Sequence, residues 1–237
     1  MLSKTRILAT VFVAGLSIAA AHAQDPVTAF PGSYSLALDN SILAVVRVHY
    51  GPHEKIGVHD HSKNPTIYVY LNNSSPVRFE HFEKNPYTLI RPPTVKGSFR
   101  VSPGRLERHS VENLGDSPSD YLRVELKQMP FGKLRSFRGE APQEPLQPRD
   151  SMEFTTPTLA IERIICSGSS ACPVKPSPDP SLIVAFTPMS FGAPEKQAEK
   201  LEAGAVRWLA SSKAASIKQD SASPAHMLRI LFPAVRK

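Results

Sequence analysis

The sequence predicts an all-β protein, built as a sandwich or a barrel. Short segments that alternate apolar with polar residues recur along the chain, as in strands with one buried face. The 23 prolines and 12 glycines punctuate these segments and favour turns between them. Only the stretch EKQAEKLEAGAVRWLASS at 195–212 suggests a long helix, and Gly204 interrupts it. Many short strands divided by turns are typical of sandwiches and barrels.

The strand-like segments fall into two groups, separated by a stretch rich in proline and charge. That stretch, 131–152, has the composition of a linker. The predicted strands, in order, are 42–50, 66–71, 77–82, 98–101 and 121–126 before it, and 158–165, 181–186, 205–210 and 226–232 after it.

Residues 1–23 have the layout of a cleavable signal peptide. Lys4 and Arg6 precede an apolar run at 7–21, and Ala21-His22-Ala23 offers small residues for cleavage. The alternative is an uncleaved anchor, but the run is shorter than the roughly 20 residues that span a bilayer. We therefore expect a periplasmic or secreted protein, without a membrane segment once the leader is removed.

The net charge of +7 is spread along the chain without a basic run. This distribution gives little support to nucleic-acid binding, and an exported protein rarely meets nucleic acid. We expect no nucleic-acid partner.

Two cysteines, Cys166 and Cys172, flank the short turn in CSGSSAC. An oxidising compartment favours a disulfide between them, which over so short a loop stabilises by about 2 to 3 kcal/mol. The alternative, a redox or metal-binding pair, lacks the two-residue spacing and a nearby histidine.

The two halves of the chain repeat the same landmarks in the same order, which predicts an internal duplication. The matched segments are LAVVRV at 43–48 and LAIERI at 159–164, TIYVYL and SLIVAF, KGSFR at 96–100 and AGAVR at 203–207, and SP at 117–118 and SP at 223–224 with the LRV and LRI that follow.

Three histidines stand in a pattern that suits a metal. His59 and His61, two apart on a predicted strand, point to the same face, and His109 lies on a later strand that can return beside them. Three neutral imidazoles on one face make an open site for a divalent transition metal such as iron, manganese, zinc, nickel or copper. The alternative is a solvated loop around the His-Asp-His segment.

The residues around these histidines resemble the two motifs of the cupin superfamily. Gly57-Val58-His59-Asp60-His61 is similar to the first motif, and PGRLERHSVEN at 103–113 is similar to the second, which ends in His-x-x-x-Asn. The resemblance covers about residues 30–235 and implies two tandem cupin-like jelly-roll β-barrels, a bicupin. It implies an N-terminal cupin at 24–130, which holds the metal site, and a C-terminal cupin at 153–237.

The resemblance also has departures. Where the first motif expects glutamate, this chain has Pro65 or Thr66, so the site is similar to the three-histidine, non-haem iron dioxygenases of the superfamily. Strand alternation is expected to turn Asp60 and Glu112 away from the metal. In the second half the ligand positions fall on non-histidine residues, so that cupin is expected to be degenerate. These positions are Lys175, Ser177 and Ala214 or Ala215.

Two further groups could surround the site. Arg100 and Arg123 would bind an anionic substrate if they point inward, and otherwise are solvated strand residues. The aromatic residues either wall a pocket or form plain core. They are Tyr68, Tyr70, Phe79, Phe82 and Phe99.

The resemblance implies oxygenase or isomerase chemistry on a small-molecule substrate, if the protein is an enzyme. The alternatives are a non-catalytic module that binds or senses a small ligand or the metal, and a structural protein with a remnant site. Motifs of hydrolases and nucleotide-binding proteins are absent from the sequence. The oligomeric state stays open, including a homodimer.

Overall fold

The computed structural model describes residues 25–168, 170–192, 197–211 and 214–233, so the predicted leader lies outside it. Within these residues the chain is nearly all β, which confirms the predicted fold class, and its one helix is the single turn α1 (Pro26–Ala29). No helix in this part of the chain is long and apolar enough to cross a membrane.

The first barrel consists of a six-stranded and a four-stranded antiparallel sheet. The larger has the order β1-β2-β9-β4-β7-β10 and the smaller has the order β3-β8-β5-β6. The strands are β1 (Tyr34–Asp39), β2 (Leu43–Tyr50), β3 (Lys55–His61), β4 (Thr66–Tyr70), β5 (Val77–His81), β6 (Tyr87–Arg91), β7 (Phe99–Ser102), β8 (Glu107–Asn113), β9 (Ser119–Leu126) and β10 (Phe137–Gly139).

The second barrel repeats this topology. Its five-stranded sheet has the order β11-β12-β19-β14-β17, and its four-stranded sheet has the order β13-β18-β15-β16. Each strand thus takes the place of a counterpart in the first barrel. The strands are β11 (Arg149–Thr155), β12 (Ala160–Cys166), β13 (Cys172–Val174), β14 (Ser181–Ala185), β15 (Met189–Gly192), β16 (Glu199–Leu201), β17 (Val206–Leu209), β18 (Ala215–Gln219) and β19 (Ala225–Leu231).

The segment between the barrels contributes strands to both of them. Within 131–152, β10 pairs with β7 of the first barrel and the start of β11 pairs with β12 of the second. The described part of the helix candidate forms β16 and β17, with Gly204 in the left-handed region between them (φ +82°). Cys166 and Cys172 form a disulfide.

The largest apolar cluster lies between the two large sheets. Val45 of β2 and Val124 of β9 face it from the first barrel, and Ile161 of β12 and Ile230 of β19 face it from the second. Because side chains alternate along a strand, the neighbours of these residues point into the barrels. The strands that join the barrels therefore also line their interiors.

A polar contact lies at the edge of this apolar interface. Arg163 is fully buried, forms an ion pair with Glu153 (2.7 Å) and donates through Nη1 to Nε2 of His226 (2.7 Å). A guanidinium has no acceptor, so His226 must be neutral at Nε2. Gly97 of the first barrel packs on the His226 ring, where a Cβ would lie 2.9 Å from Cε1.

We expect His226 to make the fold sensitive to acid. Burial, with the nearby charges of Arg163 and Lys96, lowers the pKa of His226 to about 3, whereas a histidine in an unfolded chain has a pKa of about 6.5. As pH falls from about 6.5 toward 3, the unfolded chain binds a proton at this histidine and the folded protein does not. The free energy of unfolding therefore decreases.

Urea unfolding across this pH range measures the effect. His226→Gln keeps an acceptor for Arg163 without titrating, so its free energy of unfolding should fall less steeply than that of the wild type. His53→Asn is the control, because the His53 side chain is 65% exposed and Asn tolerates its positive φ. If the free energies of unfolding of the wild type and His226→Gln fell in parallel with pH, His226 would not be the source of the acid sensitivity.

Candidate metal centre

Two facing strands place the three predicted histidines together inside the first barrel. On β3, an irregularity between Ile56 and His59 turns Ile56, His59 and His61 inward. On β8, strict alternation points His109 inward, and His109 lies opposite His59 in the register. The sequence pattern anticipated this meeting of the three imidazoles.

The three imidazoles are close enough to share one ion. One ring nitrogen from each lies within 4.8 Å of the others, and Nε2 of His59 is 3.1 Å from Nε2 of His61. The residues are 0%, 8% and 2% exposed, in the order His59, His61 and His109. This is a compact and buried set of nitrogen donors.

The hydrogen bonds of His59 fix which of its nitrogens is available. Its Nδ1 is 2.9 Å from the Gly57 carbonyl oxygen, which can only accept, so Nδ1 carries the proton. The lone pair is therefore on Nε2, which faces His61 and accepts from the Tyr34 hydroxyl at 2.9 Å. A backbone partner that orients a histidine in this way is common around metal sites.

His109 supplies the test of whether a metal fits. Both of its ring nitrogens are buried, and neither has a hydrogen-bond partner among the residues that the structure describes. Such orphaned polar atoms are rare in folded proteins and need a partner of some kind. A metal ion held among the three rings would be the partner of one of these two nitrogens, the one with the lone pair, so the residues fit a transition metal.

The protonation states agree with this reading. Burial lowers the pKa of His109 to about 2, although Glu107 opposes the shift. Burial also lowers the pKa of His61 well below its ordinary value and lowers that of His59. All three rings are therefore neutral near pH 7, which is the form that binds metals.

A row of tyrosines leads away from the cluster and was missed by sequence reasoning. The hydroxyl of Tyr34 bonds that of Tyr50 (2.8 Å), which bonds that of Tyr121 (2.8 Å). Burial raises the pKa of each well above its ordinary value, so the chain stays protonated. These tyrosines lie on β1, β2 and β9, which carry no motif. The one sequence signal for them is the alternation along each strand, which points them into the barrel.

Glu107 places a carboxylate beside the histidines, although it does not stand where the first motif expects a glutamate. It lies two residues before His109 on the same face and opposite His61 in the register. It accepts from Nη1 of Arg123 (3.0 Å) and from Nε of Arg105 (2.9 Å). Burial alone would raise the pKa of Glu107, but the guanidinium groups of Arg123 and Arg91 hold it well below its ordinary value.

A fourth histidine, His81, lies next to the cluster but is engaged elsewhere. Its ring centroid is 5.2 Å from that of His109. Nδ1 lies 3.2 Å from a Glu83 carboxylate oxygen, Nε2 lies 3.3 Å from Nη2 of Arg105, and the ring stacks on Tyr87. Both nitrogens thus have partners, unlike those of His109.

Of the five aromatic residues expected to wall a pocket or form plain core, three lie inside the first barrel, one is core elsewhere and one is largely exposed. Tyr68, Tyr70 and Phe79 lie in the barrel interior, but Phe99 faces the interface between the barrels and Phe82 is largely exposed. Phe99 precedes an inward-facing residue on β7, so alternation turns it outward.

The acids that flank the ligands in sequence lie on the other face of their strands. Glu112 of β8 forms ion pairs with Arg78 (2.6 Å) and Lys55 (3.4 Å) outside the barrel. Asp60 alternates with the inward-facing histidines of β3.

The second barrel has no matching cluster among its described residues. Val174 of β13 pairs with Ala215 of β18 as His59 pairs with His109, so these two apolar residues take the place of two of the histidines. Lys175 and Ser177, which the sequence comparison placed at the ligand positions, follow the end of β13. The interior there is mostly apolar, with Ile183, Ile217 and Met227 in its core.

No family model matches the sequence, and no curated protein matches it by sequence. Solved structures do match the fold. AerE from Microcystis aeruginosa superposes with a TM-score of 0.58 at 11% identity, over 85% of this chain and 98% of that one. The bacterial pirin YhhW from Escherichia coli, solved in complex with nickel(II), gives 0.58 at 13% identity, over 85% and 91%.

A mutant of the oxalate decarboxylase OxdC from Bacillus subtilis gives a TM-score of 0.52 at 13% identity, over 82% of this chain and 70% of that one. Another structure of that enzyme concerns its Mn(II) centres. These are cupin-fold proteins, and at such low identity the likeness shows the fold alone. The chain therefore has the cupin fold, as two tandem jelly-roll barrels, with a three-histidine cluster in the first.

The buried pair around Glu107 should matter strongly for stability. Glu107→Gln leaves the buried Arg123 with one carboxylate fewer, and breaking a buried pair from one side costs about 3 kcal/mol. Glu112→Gln, on the outer face of the same strand, should cost less than about 1 kcal/mol because its partners are solvated. Urea denaturation at pH 7 compares the two, and equal losses would refute a structural role for the buried pair.

Proposed function

We propose that the first barrel binds one divalent transition-metal ion through a ring nitrogen each of His59, His61 and His109, and acts on a small organic molecule. The observation that carries the proposal is the convergence of three neutral imidazoles, one of which has no hydrogen-bond partner for its buried nitrogens among the described residues. Iron, manganese, nickel, copper and zinc all accept imidazole ligands. Cupin-fold proteins solved with nickel(II) or studied for Mn(II) centres support this choice.

A metal in this site would supply Lewis-acid or oxygen-activating chemistry, of the kind that oxygenases and isomerases use. The side chains around it have separable roles. The hydrogen bond to the Gly57 carbonyl oxygen holds the His59 ring in one orientation, with its Nε2 lone pair directed at the site. The Tyr34 hydroxyl lies 2.9 Å from that nitrogen and would offer a hydrogen-bond donor to a molecule bound at the site.

Glu107 provides negative charge near a ligand set that has none of its own. Its carboxylate lies on the same face as His109 and stays ionised because of Arg123. Through-space attraction would offset part of the weakness expected of a site without an anionic ligand.

A second candidate function is a non-catalytic module that holds the metal or a small ligand. The burial of all three histidines favours it, because a catalytic site needs a path for substrate. Turnover of any small molecule by the metal-loaded protein would separate an enzyme from such a module.

We further propose that the two barrels arose by duplication as a bicupin, with the second kept for packing. The repeated strand order supports this, as does the absence of histidines from its matched positions. We also propose export to the periplasm or beyond, which the disulfide supports.

Metal content is the direct test of the proposed function. Protein purified without an affinity tag or chelator should hold about one equivalent of a transition metal per chain, as one three-histidine site allows. His109→Ala and the double variant His59→Ala/His61→Ala should both lose it while remaining folded, since metals need the full ligand set. Elemental analysis gives the stoichiometry and far-UV circular dichroism reports the fold.

His53→Asn is the matched control, as an exposed histidine of the same barrel whose positive φ Asn tolerates, and should keep the metal. Wild-type protein that stays metal-free after reconstitution with iron, manganese, nickel and zinc would overturn the proposal and leave a remnant site.

Export has its own test. Expressed in a bacterial host with its leader, the protein should appear outside the cytoplasm with an N-terminus at about residue 24, since small residues at 21 and 23 direct cleavage. Replacing both alanines, Ala21→Arg and Ala23→Arg, should block processing. Intact-mass spectrometry of the fractions checks this, and a full-length cytoplasmic product from the unaltered chain would contradict export.

A further inference from the structure

A cavity of about 380 Å³ lies beside the first barrel, between the loop that follows β6 and the segment that follows β10. Three arginines line it, namely Arg91, Arg100 and Arg138, and Glu140 is the one acid among the lining residues. None of the clustered histidines lines it. The cavity therefore lies outside the histidine cluster, next to the barrel interior that Arg91 and Arg100 enter, and its lining carries more positive than negative charge.

Two of these arginines face each other without an intervening acid. Arg100 of β7 and Arg138 of β10 are direct partners in the sheet register, and like charges placed opposite each other destabilise a sheet. Nε and Nη2 of Arg100 are buried with no hydrogen-bond partner in the described chain. Such donors need an acceptor that the described residues do not provide.

Aromatic rings hold two of the three guanidinium groups, those of Arg100 and Arg91, in fixed positions. The Arg100 guanidinium carbon lies 4.1 Å from the centroid of the Tyr68 ring, and that of Arg91 lies 4.1 Å from the centroid of Phe79. Stacking of this kind orients the planar fork while leaving its N–H groups free to donate.

The second barrel provides a comparison. Arg207 occupies the position of Arg100 in the repeat, and there it pairs with the carboxylate of Glu199 at 3.1 Å. Arg100 lacks such a partner among the described residues, although the local strand arrangement is the same. The unpaired arginine is thus a feature of the first barrel alone.

We propose that this cavity binds a small organic anion, a carboxylate or phosphate group carried on an apolar body. Arginine forks suit both head groups. Pro92, Val95, Phe99 and Pro142 supply apolar walls for the rest of the molecule. The volume is in the range of small-ligand pockets, roughly 300 to 1,000 Å³.

Isothermal titration calorimetry on the full-length purified protein tests this with benzoate and phenyl phosphate as probes. Benzamide serves as the neutral analogue and inorganic phosphate as the head group alone. Binding of benzoate, of phenyl phosphate or of both supports the proposal and identifies the head group, provided that benzamide and inorganic phosphate bind much more weakly.

Arg138→Gln and Arg100→Gln should each weaken binding about tenfold, the usual effect of losing a charge-assisted hydrogen bond. Arg207→Gln is the matched control and should leave affinity unchanged. Arg138 is exposed, so its variant decides the matter even if Arg100→Gln fails to fold.

The anion site does not depend on the metal, and its failure is separable from that of the metal centre. Probe binding should persist after chelation and in His109→Ala. No binding of either anion, equal affinity in Arg138→Gln and wild type, or loss of binding on chelation would each overturn the proposal, whatever the metal content.

Discussion

The contact between the two large sheets is the constraint on which the rest of the protein depends. One face of β2, β4, β7 and β9 is buried against the matching strands of the second barrel. Burial of apolar area is the main force that stabilises such a contact. Because side chains alternate, fixing this face also fixes which residues enter the first barrel. Val45 and Val124 belong to the interface, whereas Val46 and Arg123 belong to the interior.

The interiors of the two barrels differ in chemistry although their topologies agree. The second is filled mainly by aliphatic side chains. The first contains histidines, tyrosines and arginines, whose burial is costly unless each finds a partner. Most do: the tyrosines bond one another, and Arg123 pairs with Glu107 and Glu125. His109 and Arg100 keep buried nitrogens without a partner among the described residues, and each marks one of the proposed sites.

The two barrels also differ in how completely their buried polar groups are paired. The core of the second barrel is mainly aliphatic, and its buried Arg229 lies 3.6 Å from the Glu162 carboxylate. Its polar cluster beside the barrel interface, Arg163 with Glu153 and His226, is also paired. In the part of the chain that the structure describes, the buried side-chain atoms without a hydrogen-bond partner all lie in the first barrel, for which a function is proposed.

The sequence by itself determined the all-β class, the repeat of two units and the three histidines. Alternation and turn residues are local signals, and a His-x-His pair on a strand shares a face whatever surrounds it. Only the tertiary structure decided which face of β7 turns inward, so that Arg100 and not Phe99 reaches the interior. It alone brought Tyr34 and Glu107 to the histidines, because strand register joins residues that are distant in sequence and that no local pattern connects.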